Sequence, residues 1–428
     1  MKKFTLERLK PLLHRNSIAA LFLIIITVFI QSPSSSQTRA AKPVKPQFLK
    51  VYGTRLTLGG KTYRNIGANI PDLFLKFLNG QDADAIASLR RADDAGIRCV
   101  RCFGGSWGPD ELTIFDKEPA RWLGAFDRML AACNTAHITV VPSLLFNIQQ
   151  IPDYIRKTSG KEERVVEFLT PGSLSNNFAV KYVTTMVSRY KDDPRVLFWE
   201  IGNEYNLEAD LSFQLKNLPD NQLPTSDHIR SFLIQIGSLI KRMDRHHLVT
   251  SGNSDMRPAA WHLRQQMLKF HTSAHPRDYA MDWSRDLYEQ YVRMLEFFNP
   301  APMDIVSVHL YGEKENAPLW ITRDGEHAFE LPWIVAAADR IGKPTFVGEF
   351  GEKLFVDGKE QDGKWDSDQM QRIQDGGGPL SMIWSWEYSS DDPAQAVYAI
   401  TELHTPEMVT RLKTANQALK LLDVNRSK

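Results

Sequence analysis

The sequence predicts a protein of the α/β class, folded as a single (β/α)8 TIM barrel with a short N-terminal β-hairpin. Two observations support this fold. Apolar strands alternate with amphipathic helical stretches through most of the 428-residue chain, and eight such strands can be identified. Several strands end in polar residues, as expected at the carboxyl-terminal face of a barrel, where active sites are built.

The chain begins with a predicted targeting segment, residues 1–41. It holds six basic side chains and one acidic side chain, and residues 17–30 (SIAALFLIIITVFI) carry no charge. This order is typical of a secretory signal peptide, cleaved after Ala40, or of a retained signal anchor. The apolar run is shorter than the roughly 20 residues that span a bilayer comfortably. We therefore expect an extracytoplasmic protein, either secreted or attached to the membrane through residues 17–30.

Residues 42–47 are predicted to be a linker, and residues 48–428 the barrel domain. The domain opens with a hairpin-like segment, FLKVYGTRLTLGGKTY, in which glycines supply the turns. The predicted strands cover residues 63–69, 97–103, 138–145, 196–204, 248–251, 305–311, 345–350 and 380–386. The predicted helices cover residues 82–95, 120–136, 177–190, 229–242, 287–298, 333–341 and 405–422. The longest irregular stretches, 207–227 and 253–282, follow strands four and five.

Charge and motifs argue against several classes of function. The whole chain carries a formal net charge of +1, but residues 42–428 hold 46 basic and 50 acidic side chains, a net charge of −4. A nucleic-acid partner is therefore not expected. The chain has no GxGxxG, GxxxxGK[ST] or GxSxG motif, so no nucleotide cofactor is expected either. Three histidines after strand five lack carboxylates at ligand spacing, so no metal site is predicted at His262, His271 and His275.

Three cysteines are too few for a disulfide scaffold. Cys99 and Cys102 belong to one predicted strand and point to opposite faces, so they should not pair with each other. We expect buried free thiols, with a Cys102–Cys133 disulfide as the alternative.

The ends of strands four and seven carry the residues most suggestive of chemistry. Strand four reads VLFWEIGNEYN and ends in Asn203 and Glu204, while strand seven reads PTFVGEFGE and ends in Glu349. These strands lie across the barrel mouth from each other, so both carboxylates can converge on one substrate atom. Glycoside hydrolysis requires such a pair. Glu200 lies deeper on the same side as Glu204, and we expect it to pair with an arginine.

Other strand ends supply suitable neighbours. Arg101, at the end of strand two, can orient or neutralise a carboxylate. His309 and Tyr311 share one face of strand six. Trp384, on strand eight, can form a flat apolar floor for a sugar ring.

With these motifs the chain resembles the retaining glycoside hydrolases of clan A, most closely family 5, the cellulase and mannanase group. The resemblance spans roughly residues 48–422. The motifs that carry it are NIGAN at 65–69, VR at 100–101, WEIGNE at 199–204, HLY at 309–311, GEF at 348–350 and Trp384. It implies Glu204 as the acid/base and Glu349 as the nucleophile, with no cofactor.

The resemblance also implies a set of substrate-binding residues: Arg101, Asn203, His309, Tyr311 and Trp384. Within this set, Asn203 would hydrogen-bond the sugar 2-hydroxyl, and Arg101 and Tyr311 would support the nucleophile. His309 would line the cleft near the acid/base, and Trp384 would floor the subsite where cleavage occurs.

Strand three departs from the family pattern. Many members carry a histidine at its end, whereas this chain reads VVPSLLFN. Ser143 or Asn147 is expected to occupy that space.

The predicted function is that of a retaining β-glycoside hydrolase. It would cleave O-glycosidic bonds of a β-mannan or β-glucan type oligosaccharide or polysaccharide by double displacement. Retaining chemistry requires two carboxyl groups about 5–5.5 Å apart, one ionised and one protonated. Two alternatives use the same sequence features: a non-catalytic carbohydrate-binding barrel, and a transglycosylase in glycan remodelling.

Overall fold

The computed structural model describes residues 46–425, apart from residue 106 and the segments 212–222, 272–280, 312–318, 323–324, 329–330, 357–358, 376–377 and 389–395. The targeting segment, most of the linker and His275 lie outside the described residues, so the domain division at residues 41 and 47 stays a prediction. Among the helices that the structure describes, none is both long and apolar enough to cross a membrane.

Eight parallel strands form the predicted barrel. They are β1 (Ile66–Asn69), β2 (Cys99–Phe103), β3 (Thr139–Leu145), β4 (Trp199–Gly202), β5 (Val249–Thr250), β6 (Val306–Tyr311), β7 (Thr345–Gly351) and β8 (Leu380–Ile383). Their order is β5-β4-β3-β2-β1-β8-β7-β6. A parallel bridge between Thr250 and Ile305 brings β5 against the start of β6 and closes the ring. The fold prediction is confirmed, with each strand within a few residues of its expected position.

Helices fill the connections between the strands. They are Leu73–Leu78, Asp82–Asp94, Leu112–Lys117, Pro119–Thr135, Gln150–Ser159, Val165–Leu169, Leu174–Tyr190, Ser226–Met243, Ala260–His271, Tyr288–Phe298, Leu331–Arg340, Lys364–Asp375 and Pro406–Asn425, with a 3-10 turn at Tyr205–Glu208. The expectation of an irregular stretch at 253–282 was wrong in part, because it contains the helix Ala260–His271. This helix places only a short apolar stripe, including Leu263 and Met267, in the core, which is too little periodicity to identify it.

Short antiparallel strands form additional small sheets outside the eight-stranded barrel. The predicted N-terminal hairpin is a three-stranded sheet, Lys50–Tyr52, Arg55–Leu58 and Lys61–Thr62. Two further hairpins pair Leu319–Thr322 with Gly325–Ala328 and Phe355–Val356 with Lys359–Glu360.

The barrel interior is layered, with an apolar floor below a charged layer. The floor includes Cys99, Phe198 and Phe346, and Leu49 and Leu56 of the N-terminal segment join the same cluster. The charged layer begins two positions further along the same faces of these strands, with Arg101 after Cys99 and Glu200 after Phe198.

The cysteines follow the same inside-and-outside alternation. Cys99 packs in the barrel floor, whereas Cys102 and Cys133 belong to the main core cluster. All three are buried and free, which confirms the expectation of free thiols and excludes the Cys102–Cys133 disulfide.

Candidate active site

The backbone at the end of β4 holds Glu204 in an uncommon conformation. Glu204 has φ 54°, in the left-handed region, which costs a non-glycine residue on the order of 1 kcal/mol. Its N–H donates to the carbonyl oxygen of Gly252 at 2.8 Å. Gly252 has φ 74°, and a Cβ there would lie 1.8 Å from the Gly202 carbonyl oxygen. The tight contact between β4 and the end of β5 therefore depends on a glycine.

A β-bulge at Gly348 turns Glu349 into the barrel. The pairing of β7 with β6 matches Val347 to Val308 and then Glu349 to His309, so one extra residue interrupts the ladder. Phe346 packs in the barrel floor, whereas Phe350 belongs to the outer core cluster. Without the bulge, strict alternation from Phe346 would point Glu349 outward.

The two carboxylates meet beside His309. Nδ1 of His309 lies 3.0 Å from Oε1 of Glu204 and 3.6 Å from Oε1 of Glu349. One side-chain oxygen of each glutamate and one nitrogen of His309 lie within 4.8 Å of one another. This spacing fits the separation of about 5–5.5 Å in retaining glycosidases and is too short for the 6.5–9.5 Å of inverting enzymes.

Both oxygens of Glu349 accept hydrogen bonds. Nη1 of Arg101 donates to Oε1 at 2.7 Å, and the Tyr311 hydroxyl donates to Oε2. The Glu349 side chain is 5% exposed, whereas that of Glu204 is 30% exposed. The position and orientation of Glu349 are therefore fixed from two sides before any substrate binds.

Arg101 is fully buried at the centre of this network. Its Nε donates to Oε1 of Glu200 at 2.8 Å, its Nη1 also donates to Oδ1 of Asn69 at 3.0 Å, and its Nη2 donates to Oδ1 of Asn203 at 2.7 Å. All three nitrogens are engaged within the protein, so Arg101 supports the glutamates rather than contacting a sugar. The predicted pairing of Glu200 with an arginine is confirmed.

Asn203 is held by its oxygen. Because Oδ1 accepts from Arg101, the Nδ2 amide is the end left to donate to a ligand. This orientation suits a hydrogen bond to a hydroxyl oxygen of a sugar.

The pKa values of the site follow from burial and charge. Burial lowers the pKa of Arg101, but the charges of Glu200 and Glu349 raise it by more than burial lowers it. The net shift is upward, so the guanidinium stays positive. Burial raises the pKa of Tyr311 well above its usual value, and the charges of Glu349 and Glu204 add to this. Tyr311 therefore keeps its proton and serves as a donor.

The pKa of Glu204 is shifted in the direction opposite to that expected of an acid/base group. Burial raises its pKa, but the hydrogen bond and charge of His309, a hydrogen bond from Ser254 and the charge of Arg101 lower it below the usual 4.5. Since these contacts favour the ionised form, Glu204 is a carboxylate in the unliganded protein at neutral pH.

An aromatic residue directly after β3 lies beside Arg101. The Phe146 ring centroid lies 5.2 Å from the guanidinium carbon of Arg101. Ser143 instead donates to the Gly202 carbonyl oxygen at 2.9 Å, and Asn147 donates to the Trp107 carbonyl oxygen at 2.8 Å. Both side chains are thus held by backbone carbonyls, and the expectation that one of them takes the place of a strand-three histidine stays a prediction.

Phe146 belongs to an aromatic cluster at the barrel mouth. Its partners are Phe103, Trp384 and Tyr398. Trp107 packs against Phe103 with ring centroids 5.5 Å apart and is 55% exposed, so it offers a large open face. Of these aromatics, Trp384 could be singled out from the sequence, and only the fold shows that they adjoin.

Trp384 and Trp386 do not share a face, although strict alternation in strand eight predicts that they do. Trp384 lies in the aromatic cluster and is 7% exposed, whereas Trp386 lies in the main core and is fully buried. Because β8 ends at Ile383, alternation no longer applies to these residues.

The two carboxylates and the histidine of the site are in contact with one another or with Arg101. Glu204, His309 and Glu349 are the one convergent group of three potential metal-binding side chains among the described residues. Glu349 is already ion-paired with Arg101 at 2.7 Å, and His309 contacts Glu204. Of the three histidines after strand five, His262 pairs with Asp286 at 2.7 Å.

Replacing Gly348 with alanine should disturb the site through His309. A Cβ at Gly348 would lie 2.7 Å from Nε2 of His309, which is 3% exposed and has little room to move. We expect kcat/KM to fall about 10–100-fold, and the free energy of unfolding to fall by about 1–3 kcal/mol. Steady-state kinetics and thermal unfolding provide the measurement. Gly124→Ala is the control: its Cβ would meet nothing within 4 Å, so activity should stay unchanged. Full activity of Gly348→Ala would contradict the close packing described here.

Comparison with known proteins adds three findings. The profile described as "Cellulase (glycosyl hydrolase family 5)" matches residues 77–390. The chain is similar to mannan endo-1,4-beta-mannosidase 2 of Oryza sativa subsp. japonica, with 25% identity over 356 residues, 76% of this chain and 72% of the rice protein. It is also 25% identical over 236 residues to a probable mannan endo-1,4-beta-mannosidase C of Aspergillus terreus, covering 49% of this chain and 56% of the fungal protein. The chain thus spans about half the length of this fungal relative.

A solved structure shares the fold. The glycoside hydrolase family 5 mannosidase of Rhizomucor miehei superposes with a TM-score of 0.60 at 15% identity, over 88% of this chain and 99% of that chain. The agreement covers nearly the whole barrel.

Proposed function

Because the chain belongs to glycosyl hydrolase family 5, we propose that it cleaves a β-1,4-linked mannan-type glycan, with Glu349 as nucleophile and Glu204 as acid/base. Family membership makes it a β-glycoside hydrolase of the (β/α)8 type. The observation that carries the residue roles is the convergence of the two carboxylates within 4.8 Å beside His309.

In the first step, Glu349 attacks the anomeric carbon of the bound sugar. Arg101 and Tyr311 hold its two oxygens, so little reorientation is needed. At the same time Glu204, in its acid form, donates a proton to the departing glycosidic oxygen. The C–O bond breaks, and a covalent glycosyl ester forms on Glu349.

The second step reverses the role of Glu204. As a carboxylate it takes a proton from water, which attacks the anomeric carbon and releases Glu349. Glu204 has already given up its proton in the first step, and the contacts that lower its pKa keep it ionised for this role. The acid role requires substrate binding to favour protonation, and displacement of water by the sugar acts in that direction.

The preference for mannan rests on the relatives. Both curated relatives compared above are described as mannan endo-1,4-beta-mannosidases. Trp107 packs against Phe103, a member of the cluster that includes Trp384, and its exposed face supports a subsite for an uncharged sugar ring.

A panel of polysaccharides tests this function. We expect reducing ends to be released from β-1,4-mannan faster than from β-1,4-glucan or xylan, with the first product in the β-configuration by NMR. Binding to a glycan without release of reducing ends would favour the non-catalytic barrel. Products longer than the substrate would favour the transglycosylase.

We also propose that residues 1–41 export the barrel domain from the cytoplasm, where a polysaccharide substrate is accessible. The basic start and the uncharged run at residues 17–30 support this. Cell fractionation of the full chain and of a chain lacking residues 1–41 tests it. Equal distribution of the two proteins would contradict it.

A further inference from the structure

Glu200 shares Arg101 with the nucleophile but takes no part in the steps described above. The Glu200 side chain is fully buried, and its Oε1 lies 2.8 Å from Nε and 2.7 Å from Nη2 of Arg101. We propose that Glu200 is a positioning residue that fixes Arg101 and takes part of its positive charge, thereby keeping Glu349 basic enough to attack. The inference rests on the proposed role of Glu349 as nucleophile.

The geometry excludes a direct contact between Glu200 and a substrate. Glu200 has no exposed surface, whereas Glu204, four residues further along the same strand direction, is 30% exposed. A Cβ at Gly252 would lie 2.9 Å from Cδ of Glu200, so β5 closes over the carboxylate from the side. Glu200 therefore acts on the site through its contacts with Arg101 and through its charge.

The two oxygens of Glu200 are used unequally. Oε1 makes both contacts with Arg101, whereas Oε2 is buried and has no hydrogen-bond partner among the described residues. One neutral acceptor oxygen would be enough to hold the guanidinium. The second oxygen adds negative charge without adding a contact. Burying such a charge costs free energy, so its presence points to a role for the charge itself.

The charge balance of the site shows what that use is. The charged and titratable groups around Glu349 are Arg101 from β2, Glu204 just after β4, and His309 and Tyr311 from β6, while Glu200 from β4 is bound to Arg101. One guanidinium thus faces three carboxylates. With Glu200 ionised, part of the field of Arg101 is cancelled before it reaches Glu349. Without that charge, Arg101 would stabilise the Glu349 carboxylate more strongly and make it a weaker nucleophile.

Glu200→Gln separates charge from contact. The amide oxygen can replace Oε1 and accept from Nε of Arg101, while the negative charge that pairs with the guanidinium is lost. We expect the acid limb of the kcat/KM profile to move to lower pH by about one unit. For an aryl glycoside, kcat/KM at the pH optimum should fall about tenfold, because the nucleophile is less basic.

Glu163→Gln is the matched control. Glu163 is also a buried glutamate, but it accepts from the backbone N–H groups of Leu174 and Ser175, away from the site. Its replacement should leave the acid limb in place. An unshifted limb and wild-type kcat/KM in folded Glu200→Gln, verified by a cooperative thermal transition, would overturn the inference.

Two further measurements keep the outcome interpretable. If Glu200→Gln does not fold, Glu200→Asp can be used instead, because it keeps the charge but withdraws it from Arg101. It should move the acid limb in the same direction by a smaller amount. A wild-type pH profile of Glu200→Asp would overturn the inference. Glu349→Ala tests the proposed function separately. If that variant is inactive and Glu200→Gln shows no shift, only the role of Glu200 fails; if it stays active, the proposed function fails.

Discussion

Replacing Glu349 with alanine is expected to lower hydrolysis of β-mannan by roughly 10⁴-fold or more, because the covalent intermediate can no longer form. The barrel should still fold, since Arg101 keeps its ion pair with Glu200 at 2.7 Å. The vacated space next to the anomeric carbon can admit azide. With an activated aryl glycoside, added azide should restore turnover and give a glycosyl azide of inverted configuration, detected by NMR.

Glu360→Ala controls for the loss of a glutamate in general. Glu360 lies exposed in the small hairpin with Phe355–Val356, away from the site residues described, so this variant should keep wild-type kcat/KM. Substantial activity of Glu349→Ala without azide would contradict the assignment of the nucleophile.

Replacing Glu204 with alanine should produce a different pattern. Hydrolysis of β-mannan needs a proton on the departing oxygen, so we expect a loss of about 10²–10⁴-fold. An aryl glycoside with a strongly acidic leaving group needs little such help, and its first step should remain fast. The second step then limits turnover, because no base activates water, and a burst of aryl alcohol should appear in rapid-mixing kinetics.

Azide also separates the two glutamates by product. In Glu204→Ala it should attack the glycosyl ester on Glu349 and give a glycosyl azide of retained configuration. The two variants thus control for each other, since opposite anomers are expected from the same substrate. The same anomer from both would contradict the division of roles between Glu204 and Glu349.

Much of this architecture could be predicted from the sequence. The eight strands are short apolar runs separated by helical periodicity, and each was found within a few residues of its expected bounds. Glu204 and Glu349 could be singled out because a strand interior gains nothing from a carboxylate. Their position at strand ends then follows from the topology of the barrel.

The remaining features depend on backbone detail that periodicity does not encode. Phe146 lies beside Arg101, and only the packing shows that Ser143 and Asn147 are held by backbone carbonyls. The direction of the Glu204 pKa shift depends on how closely His309 approaches its carboxylate. Neither distance can be derived from residue spacing.

The bulge at Gly348 has a consequence for the genetics of this protein. Val347 pairs with Val308 and Glu349 with His309, so Gly348 is the residue of β7 that has no partner on β6. An in-frame deletion of the Gly348 codon would join Val347 directly to Glu349 and let the ladder run without interruption, with Glu349 still opposite His309 and facing inward. Screens limited to substitutions would not reveal this, since Gly348→Ala adds a Cβ beside His309 where the deletion removes the residue.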